Sequence, residues 1–171
     1  MKIEEKSFIR ISTTKRDDGP SVHNLVNLCP PLDRNSRYLY LLVCTHFDRY
    51  SMTAKGGDDL MGFVSAYRHP AYDNTIFIWQ VAVAPAYRKH GIASRILYEV
   101  ILRAIQDGLT YLETTVTPSN TASFNMFKKI ADTFNAGLQQ SICFSSELLG
   151  DNHEEEMLLR IGPLKQQGRK L

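Results

Sequence analysis

The sequence predicts a single domain of mixed α/β (α+β) architecture, in which helices pack against one β-sheet. Two hydrophobic patterns predict it: some segments alternate apolar and polar residues, as strands do, and others repeat apolar residues at helical spacing. These segments follow one another in the order β-α-α-β-β-β-α-β-α-β-β. The length of 171 residues suits one domain with its own core, and no internal repeat or low-complexity linker divides the chain.

The first part of the chain predicts a strand followed by two helices. Residues 7–13 alternate as a strand, and residues 15–29 carry Asp and Pro at a helix start, followed by apolar residues at helical spacing. The turn at 30–35, which reads PPLDRN, ends that helix. Residues 36–47 resume a largely apolar helix, and we expect Ser36 to cap it because serine side chains accept hydrogen bonds from first-turn N–H groups.

The rest of the chain supplies the other strands and helices. Strands are expected near residues 50–54 and 60–67, joined at KGGDD, whose glycines suit a tight hairpin. The strand at 75–83 is the most strongly apolar, so we expect it to be central and buried on both faces. The later elements are a helix ending near residue 108, a strand at 109–116, a helix at 119–132, strands near 140–145 and 156–161, and a frayed tail at 165–171.

The composition is that of an ordinary globular protein. Hydrophobic residues make up 43% of the chain and charged residues 22%, and the net charge of +2 is too small to indicate a nucleic-acid or membrane surface. Cys29, Cys44 and Cys143 have no spacing typical of metal ligands, so we expect buried thiols in a reducing compartment. The N-terminus has no apolar run of the length that an export signal needs, and the expected location is therefore the cytoplasm.

The junction between the apolar strand and the next helix carries more positive charge than a turn needs. It reads RKHGIA, with Arg88, Lys89 and His90 before Gly91. A helix N-terminus presents unpaired N–H groups, which bind phosphate or pyrophosphate where small residues such as Gly91 and Ala93 let the anion approach. The alternative is a capped turn with solvated basic residues. A Walker loop is excluded because no Gly-Lys-Ser/Thr follows, and the dinucleotide fingerprint fails because its first glycine would fall on Arg88.

This junction and a later segment together resemble a known family. Arg-x-x-Gly-x-Ala after a strand ending VAV-P, followed by a further strand and then PSNTASFNMF, resembles the GNAT superfamily of N-acetyltransferases over residues 7–164. The resemblance implies the GNAT fold, a mostly antiparallel seven-stranded sheet flanked by four helices, with splayed fourth and fifth strands. It also implies acetyl-coenzyme A as a co-substrate, with no tightly bound cofactor and no metal.

The same resemblance implies which residues bind the coenzyme. In the family, the loop after the fourth strand binds the pyrophosphate, and the backbone of that strand binds the pantetheine and acetyl groups. The N–H of Val81 is the expected catalytic donor to the oxyanion, a role worth about 2.7–4 kcal/mol; the alternative is that VAV is simply core strand. The residues expected to bind acetyl-coenzyme A are Val81, Val83, Arg88, Lys89, His90, Gly91, Ile92, Ala93, Asn120 and Phe127.

A narrower resemblance is to the diaminobutyrate acetyltransferases within that superfamily. It rests on CPPLDRNSRYLYLLVCTHF, FIWQVAVAPAYRKHGIA, TTVTPSNTASFNMF and HEEEMLLRIGP. It implies a homodimer that acetylates the 4-amino (γ) group of L-2,4-diaminobutyrate on the route to the compatible solute ectoine. Two alternatives stay open: an acetyltransferase for another small amine, and a non-catalytic module that binds acetyl-coenzyme A.

An acceptor with two ammonium groups needs acidic side chains and a closely fitting pocket. We expect Asp33 in the PPLD turn, and Glu156 supported by His153 in the last hairpin, to pair with these groups. Tyr38 and Trp79 are expected to enclose the ligand, and strand alternation puts Trp79 on the same face as the two valines of VAV. The alternatives are a turn aspartate, a solvated acidic loop and aromatic side chains in the core.

The expected chemistry is attack of a neutral γ-amine on the thioester. Glu156 or His153, directly or through a water molecule, is expected to take the proton of the amine. The helix motif of the family commonly ends in a tyrosine that protonates the leaving thiolate, but here Phe127 occupies that position. We therefore expect the thiolate to leave without a tyrosine acid.

Overall fold

The helices and strands of the computed structural model follow the predicted order. The structure describes residues 8–150 and 153–165, so residue 7 of the predicted first strand and residues 166–171 of the predicted tail lie outside it. The strands are β1 (Ile9–Thr13), β2 (Met52–Gly56), β3 (Asp59–Arg68), β4 (Thr75–Val83), β5 (Tyr111–Val116), β6 (Gly137–Phe144) and β7 (Glu156–Gly162). The helices are α1 (Gly19–Asn27), α2 (Arg37–His46), α3 (Ile92–Gln106), α4 (Thr121–Thr133) and α5 (Ser146–Leu149). Of these elements, only the single turn α5 was not predicted.

The seven strands of the described residues form one mixed sheet in the order β1-β2-β3-β4-β5-β7-β6. Antiparallel pairing joins β1 to β2, β2 to β3, β5 to β7 and β6 to β7, whereas β4 and β5 are parallel. The parallel pairing begins at Thr75 with Tyr111 and ends at Ile78 with Thr114, and β4 then continues to Val83. The predicted mixed, mostly antiparallel sheet is confirmed, and the short parallel pairing agrees with the predicted splay.

The described residues belong to two compact units. One lies within Met1–Ser65 and Gln80–Val100, and the other within Ala66–Trp79 and Ile101–Leu171. We refer to them as the first and second unit. The predicted domain limits, 7–164, stay a prediction.

The core of the first unit is an apolar cluster to which α1, α2, β3 and β4 contribute. The cluster consists of Val22, Leu25, Val26, Cys29, Tyr40, Val43, Cys44, Phe63 and Ala82. The helical spacing of its members gives α1 and α2 one apolar face each. Near this cluster α3 approaches β3 closely, because a Cβ at Gly62 would lie 2.8 Å from Cγ2 of Ile92.

The core of the second unit lies on one face of β5 and β7. Its buried residues from the two strands are Leu112, Thr114, Val116, Leu159 and Ile161, and α4 adds Phe127, Ile130 and Ala131. On the opposite face, the Arg160 guanidinium donates to the carboxylate of Glu113, which is only 3% exposed. Arg160 also lies over the ring of Tyr111, 4.2 Å from its centroid. This face therefore carries a partly buried ion pair beside an aromatic ring.

The prediction that β4 is buried on both faces is wrong for one face. Its even-numbered residues from Ile76 to Ala82 are buried, but Phe77, Val81 and Val83 are only partly buried and Trp79 is 40% exposed. Side chains alternate between the faces of a strand, and both faces of β4 carry apolar residues. An apolar run cannot distinguish a face packed in a core from an apolar face left accessible.

Two local predictions are confirmed. The N–H of Leu39 donates to Oγ of Ser36 at 3.2 Å, so Ser36 caps α2. The KGGDD segment forms a tight hairpin between β2 and β3, in which Gly57 adopts φ +60°. Hairpin turns of this length need positive φ, which glycine adopts without steric cost.

The cysteines agree in part with the prediction. Cys29 and Cys44 are buried free thiols, whereas Cys143 is only partly buried. Burial, followed by the charge of Asp18, raises the pKa of Cys44 to about 12. Among the helices of the described residues, none is long and apolar enough to cross a membrane.

Candidate active site

The junction between β4 and α3 has the geometry that an anion needs. Gly91 adopts φ +73°, and its carbonyl accepts the N–H of Arg95 at 3.0 Å. Gly91 is therefore the N-cap residue of α3. The N–H groups of the first helical turn have no partner within the helix. A Cβ built on Gly91 would meet no described atom within 4 Å beyond its chain neighbours. The glycine therefore serves the backbone conformation and leaves open space beside the helix end.

The basic residues of the junction are exposed and partly ordered by their own backbone. Nδ1 of His90 lies 2.8 Å from the carbonyl oxygen of Arg88, which can only accept, so this bond requires the proton on Nδ1. Lys89 adopts φ +64°, which is uncommon for a residue with a side chain. Such strain clusters at ligand-binding turns. Three positive or protonatable side chains thus surround the start of α3.

The carbonyl of Val83 at the end of β4 already has two donors. Nε of Arg88 lies 3.2 Å from this oxygen and Sγ of Cys29 lies 3.3 Å from it. A carbonyl oxygen has two lone pairs. A ligand amide that donates to Val83 would therefore have to displace one of these groups, and the side chain of Arg88, on an exposed residue, is the easier to move.

The first unit also holds the predicted acceptor residues Asp33 and Tyr38. Both are exposed, Tyr38 to 68%, so this tyrosine is not a core aromatic. Asp33 does not cap α2, since Ser36 performs that function. Its backbone carbonyl accepts Nδ2 of Asn35 at 3.3 Å. The turn thus holds the backbone of Asp33 and leaves its carboxylate at the surface.

The second unit places Trp79 and Glu156 on the same face of the sheet. Phe77 pairs with Glu113, which pairs with Arg160, so these three side chains share a face. Alternation along β4 and β7 puts Trp79 and Glu156, two and four residues away, on that face too. Burial, followed by the charges of Glu113 and Glu156, raises the pKa of the Cys143 thiol. The partly buried Glu156 and the exposed Trp79 therefore lie on one face of the sheet.

Of the three consecutive acids near the start of β7, Glu154 and Glu155 precede the strand and Glu156 is its first residue. Glu154 accepts the N–H of Ser119 at 3.0 Å and also its hydroxyl, so both of its carboxylate oxygens are engaged. This contact ties the segment before β7 to the residue preceding α4. His153 is exposed, and its N–H donates to the carbonyl of Gly150 at 3.2 Å. Both carboxylate oxygens of Glu154 are therefore engaged, and the assignment of Glu156 to the acceptor stays a prediction.

The two residues expected to contact the coenzyme from α4 have different surroundings. Asn120 is the capping residue of α4, and its Oδ1 accepts the N–H of Ser123 at 3.1 Å. Phe127 is 3% exposed and packs in the core of the second unit. A cavity of about 390 Å³ lies beside α4, lined in part by Thr121, Phe124 and Met157. The cap leaves the amide N–H groups of Asn120 available for other partners.

Comparison with known protein families identifies the family of the chain, and the matched residues include the β4–α3 junction. The model of the acetyltransferase (GNAT) family matches residues 19–131, more than half of the chain. The chain belongs to the GNAT family of acetyltransferases. In the described residues, no group of three or more His, Cys, Asp or Glu side chains is arranged to hold a metal ion.

Named relatives resemble this GNAT chain over most of their length. An L-2,4-diaminobutyric acid acetyltransferase from Methylotuvimicrobium alcaliphilum is 40% identical over 159 residues, covering 92% of each chain. The protein of the same name from Chromohalobacter salexigens is 43% identical over 161 residues, covering 94% of this chain and 83% of its own.

The fold is also shared with solved structures. A diaminobutyrate acetyltransferase from Paenibacillus lautus, solved with its substrate L-2,4-diaminobutyric acid and coenzyme A, is 34% identical with a TM-score of 0.88. The match covers 95% of this chain and 99% of that one. An N-acetyltransferase from Staphylococcus aureus has a TM-score of 0.70 at 19% identity, covering 93% of this chain and 100% of that one, and it shares the fold.

Sequence reasoning missed a buried hydrogen bond that involves the residue before Val81 in β4. Gln80 is 5% exposed and Tyr40 is fully buried, and the Tyr40 hydroxyl donates to Oε1 of Gln80 at 3.1 Å. The signal was present for Gln80, since it is the one amide in an otherwise apolar strand. Nothing in the sequence distinguished Tyr40 from an ordinary core aromatic of α2.

Proposed function

We propose that this protein transfers the acetyl group of acetyl-coenzyme A to the γ-amino group of L-2,4-diaminobutyrate, forming N-γ-acetyl-L-2,4-diaminobutyrate. The observation that carries the proposal is the likeness, at 34% identity and a TM-score of 0.88, to a diaminobutyrate acetyltransferase solved with both ligands. The named relatives at 40% and 43% identity support the same acceptor. This reaction belongs to ectoine biosynthesis.

The coenzyme binds along β4 and at the start of α3. Its pyrophosphate accepts hydrogen bonds from the first-turn N–H groups of α3 in the open space beside Gly91, where the helix dipole also favours an anion. The side chains of Arg88, Lys89 and His90 add positive charge, and Asn120 uses the amide N–H groups that its capping role leaves available. The main chain of Val81 and Val83 binds the pantetheine arm and the acetyl group.

The acceptor is held by carboxylates and enclosed by aromatic side chains. Asp33 and Glu156 each pair with an ammonium group of diaminobutyrate, because charge-assisted hydrogen bonds of this kind are the strong ones. Tyr38 and Trp79, which are 68% and 40% exposed, cover the short carbon chain. His153 supports Glu156 from the segment before β7.

The transfer begins with loss of a proton from the γ-ammonium group, whose free pKa lies near the ~10.4 of a lysine side chain. Glu156 takes this proton, directly or through a water molecule with His153. The amine lone pair then forms the N–C bond, and the N–H of Val81 donates to the oxyanion of the tetrahedral intermediate. Collapse of the intermediate breaks the C–S bond, and the attacking nitrogen loses its second proton as the amide forms. That proton, or one from water, protonates the departing coenzyme A thiolate, because Phe127 occupies the position of the usual tyrosine donor.

We further propose that the enzyme is a cytoplasmic homodimer. β6 is an edge strand of the sheet and carries Ile142 and Phe144, which are 59% and 47% exposed. An edge strand with exposed apolar side chains is commonly covered by a partner chain. Light scattering of the purified protein should give twice the mass of one chain, and a monomeric mass contradicts the homodimer.

The test of the function is coenzyme A release with candidate acceptors. Thiol production from acetyl-coenzyme A should depend on L-2,4-diaminobutyrate and should be far slower with ornithine or lysine. The product should carry the acetyl group on the γ-nitrogen by NMR. Equal rates with several amines favour a broader small-amine acetyltransferase, and thiol release at background level with all acceptors favours a non-catalytic module that binds acetyl-coenzyme A.

A further inference from the structure

We infer that Gln80 is a positioning residue that fixes the turn carrying Asp33 against the strand carrying Val81. The inference rests on the proposed function, because it assigns Gln80 a part in placing diaminobutyrate relative to the thioester. Gln80 precedes Val81 directly in β4. A segment bound by the Gln80 side chain is therefore fixed relative to the N–H of Val81, the proposed oxyanion donor.

The side chain of Gln80 reaches two other segments of the first unit. Its Oε1 accepts the hydroxyl of Tyr40 in α2 at 3.1 Å, and its Nε2 donates to the backbone carbonyl of Asp33 at 3.5 Å. The first of these bonds is fully buried. A single amide thus bridges β4, α2 and the turn before α2.

Asn35 closes the same network from the side of the turn. Its Nδ2 donates to the carbonyl of Asp33 at 3.3 Å and lies 3.4 Å from the Tyr40 hydroxyl. The backbone of Asp33 is therefore held by two amides, one from the turn itself and one from β4. Because the bonds are made to the carbonyl, the carboxylate of Asp33 remains free to bind an ammonium group.

Apolar packing alone does not require a side-chain amide at Gln80 or a hydroxyl at Tyr40. Tyr40 belongs to a cluster whose other side chains are apolar, and its ring lies 6.4 Å from that of Phe63, edge on. Phenylalanine at position 40 and leucine or methionine at position 80 would fill similar volume without dehydrating polar groups. A buried polar pair in such surroundings contributes more to a defined geometry than to stability.

The backbone of Gln80 is held as well. Its N–H donates to Oγ of Ser65 on β3 at 3.0 Å, and both residues are buried. The peptide that leads into Val81 is therefore anchored on one side by β3 and, through the Gln80 side chain, connected to α2 and the Asp33 turn. Reaction rates respond to displacements of about 1 Å between the acceptor and the reacting carbon, so an anchored turn has a direct effect on catalysis.

The test compares Tyr40→Phe, Gln80→Leu and the double variant with the wild type. Each single variant leaves one buried polar group without its partner, so the Tm should fall; in the double variant both partners are apolar, and the Tm should recover. The kinetic defect should not recover. We expect kcat/KM for diaminobutyrate to fall about 10- to 100-fold in Gln80→Leu and in the double variant, with the KM for acetyl-coenzyme A within about twofold of the wild type.

Val43→Ala is the control for loss of stability, because Val43 belongs to the same apolar cluster and touches neither Gln80 nor the Asp33 turn through a polar group. It should lower the Tm and leave both KM values unchanged. Discrimination between diaminobutyrate and ornithine should weaken in Gln80→Leu and stay intact in Val43→Ala. The double variant keeps the test available if Gln80→Leu alone fails to fold.

Three results overturn the inference: a wild-type kcat/KM for diaminobutyrate in folded Gln80→Leu, a kinetic recovery that follows the Tm in the double variant, or an equal kinetic defect in Val43→Ala. In all three, the wild type still acetylates diaminobutyrate, so the proposed function stands. A wild-type protein that releases no coenzyme A with diaminobutyrate instead overturns the proposed function, and this inference with it.

Discussion

Replacing Gly91 by alanine tests whether an anion occupies the open space beside α3. Gly91 has φ +73°, a conformation that costs a residue with a Cβ roughly 1–2 kcal/mol. Gly91→Ala should therefore lower the free energy of unfolding by about that amount, which at this chain length corresponds to a fall in Tm of roughly 2–8 °C. The methyl group meets no described protein atom within 4 Å beyond the chain neighbours of Gly91, so any further effect comes from the ligand.

If the pyrophosphate approaches this backbone, the methyl group displaces it and weakens binding of acetyl-coenzyme A. A loss of about 1.4 kcal/mol in binding free energy raises the KM tenfold when KM reports binding. Gly91→Val should act in the same direction and more strongly, because a β-branched side chain tolerates positive φ poorly. The assay is thiol release with acetyl-coenzyme A as the varied substrate, together with thermal unfolding with and without coenzyme A.

Gly57 supplies a matched control for this experiment. It has φ +60° and equally open surroundings, but it lies in the hairpin between β2 and β3. Gly57→Ala should lower the Tm by a similar amount and leave the KM for acetyl-coenzyme A unchanged. The assignment of the pyrophosphate site is refuted if folded Gly91→Ala keeps the wild-type KM, or if Gly57→Ala raises the KM equally.

Other predictions concern the acceptor, the leaving group and pH. Asp33→Asn and Glu156→Gln should each raise the KM for diaminobutyrate at least about tenfold. Coenzyme A should still raise the Tm of both variants. Wild-type rates at low diaminobutyrate in both variants would show that the acceptor binds elsewhere. Phe127→Leu should keep single-turnover rates within about tenfold of the wild type. Tyr38, Tyr67 and Tyr111 should each be changed to phenylalanine as well. A fall of about 10²–10⁴-fold in any of these variants would identify a general acid that this mechanism lacks. Folding raises the pKa of Cys44 from 9.0 to about 12. Between these pH values the folded protein retains a proton that the unfolded chain releases. The free energy of unfolding should therefore fall as pH rises from about 9 towards 12. Cys44→Ala should make this fall shallower, and an unchanged slope would contradict the raised pKa.

The local features of this protein were predictable from the sequence because neighbouring residues determine them. The order of strands and helices follows from hydrophobic periodicity, and the cap at Ser36 depends on a residue three positions away. The turn at Gly91 depends on the backbone of a single residue. The family was recognisable for a similar reason, since the strand ending VAV-P with the motif RKHGIA and the later segment PSNTASFNMF are each contiguous in the chain.

Contacts between residues that are far apart in the sequence became visible only in the tertiary structure. The hydrogen bond between Tyr40 and Gln80 spans 40 residues of chain, and that between Cys29 and Val83 spans 54. No periodicity records such pairs, because each residue alone satisfies the local pattern of a helix or a strand. Both carboxylate oxygens of Glu154 are engaged by Ser119, 35 residues away in the chain, and no local pattern records this contact. The exposure of Trp79 likewise depends on what covers one face of β4, which is a property of the packed chain and not of the strand's own residues.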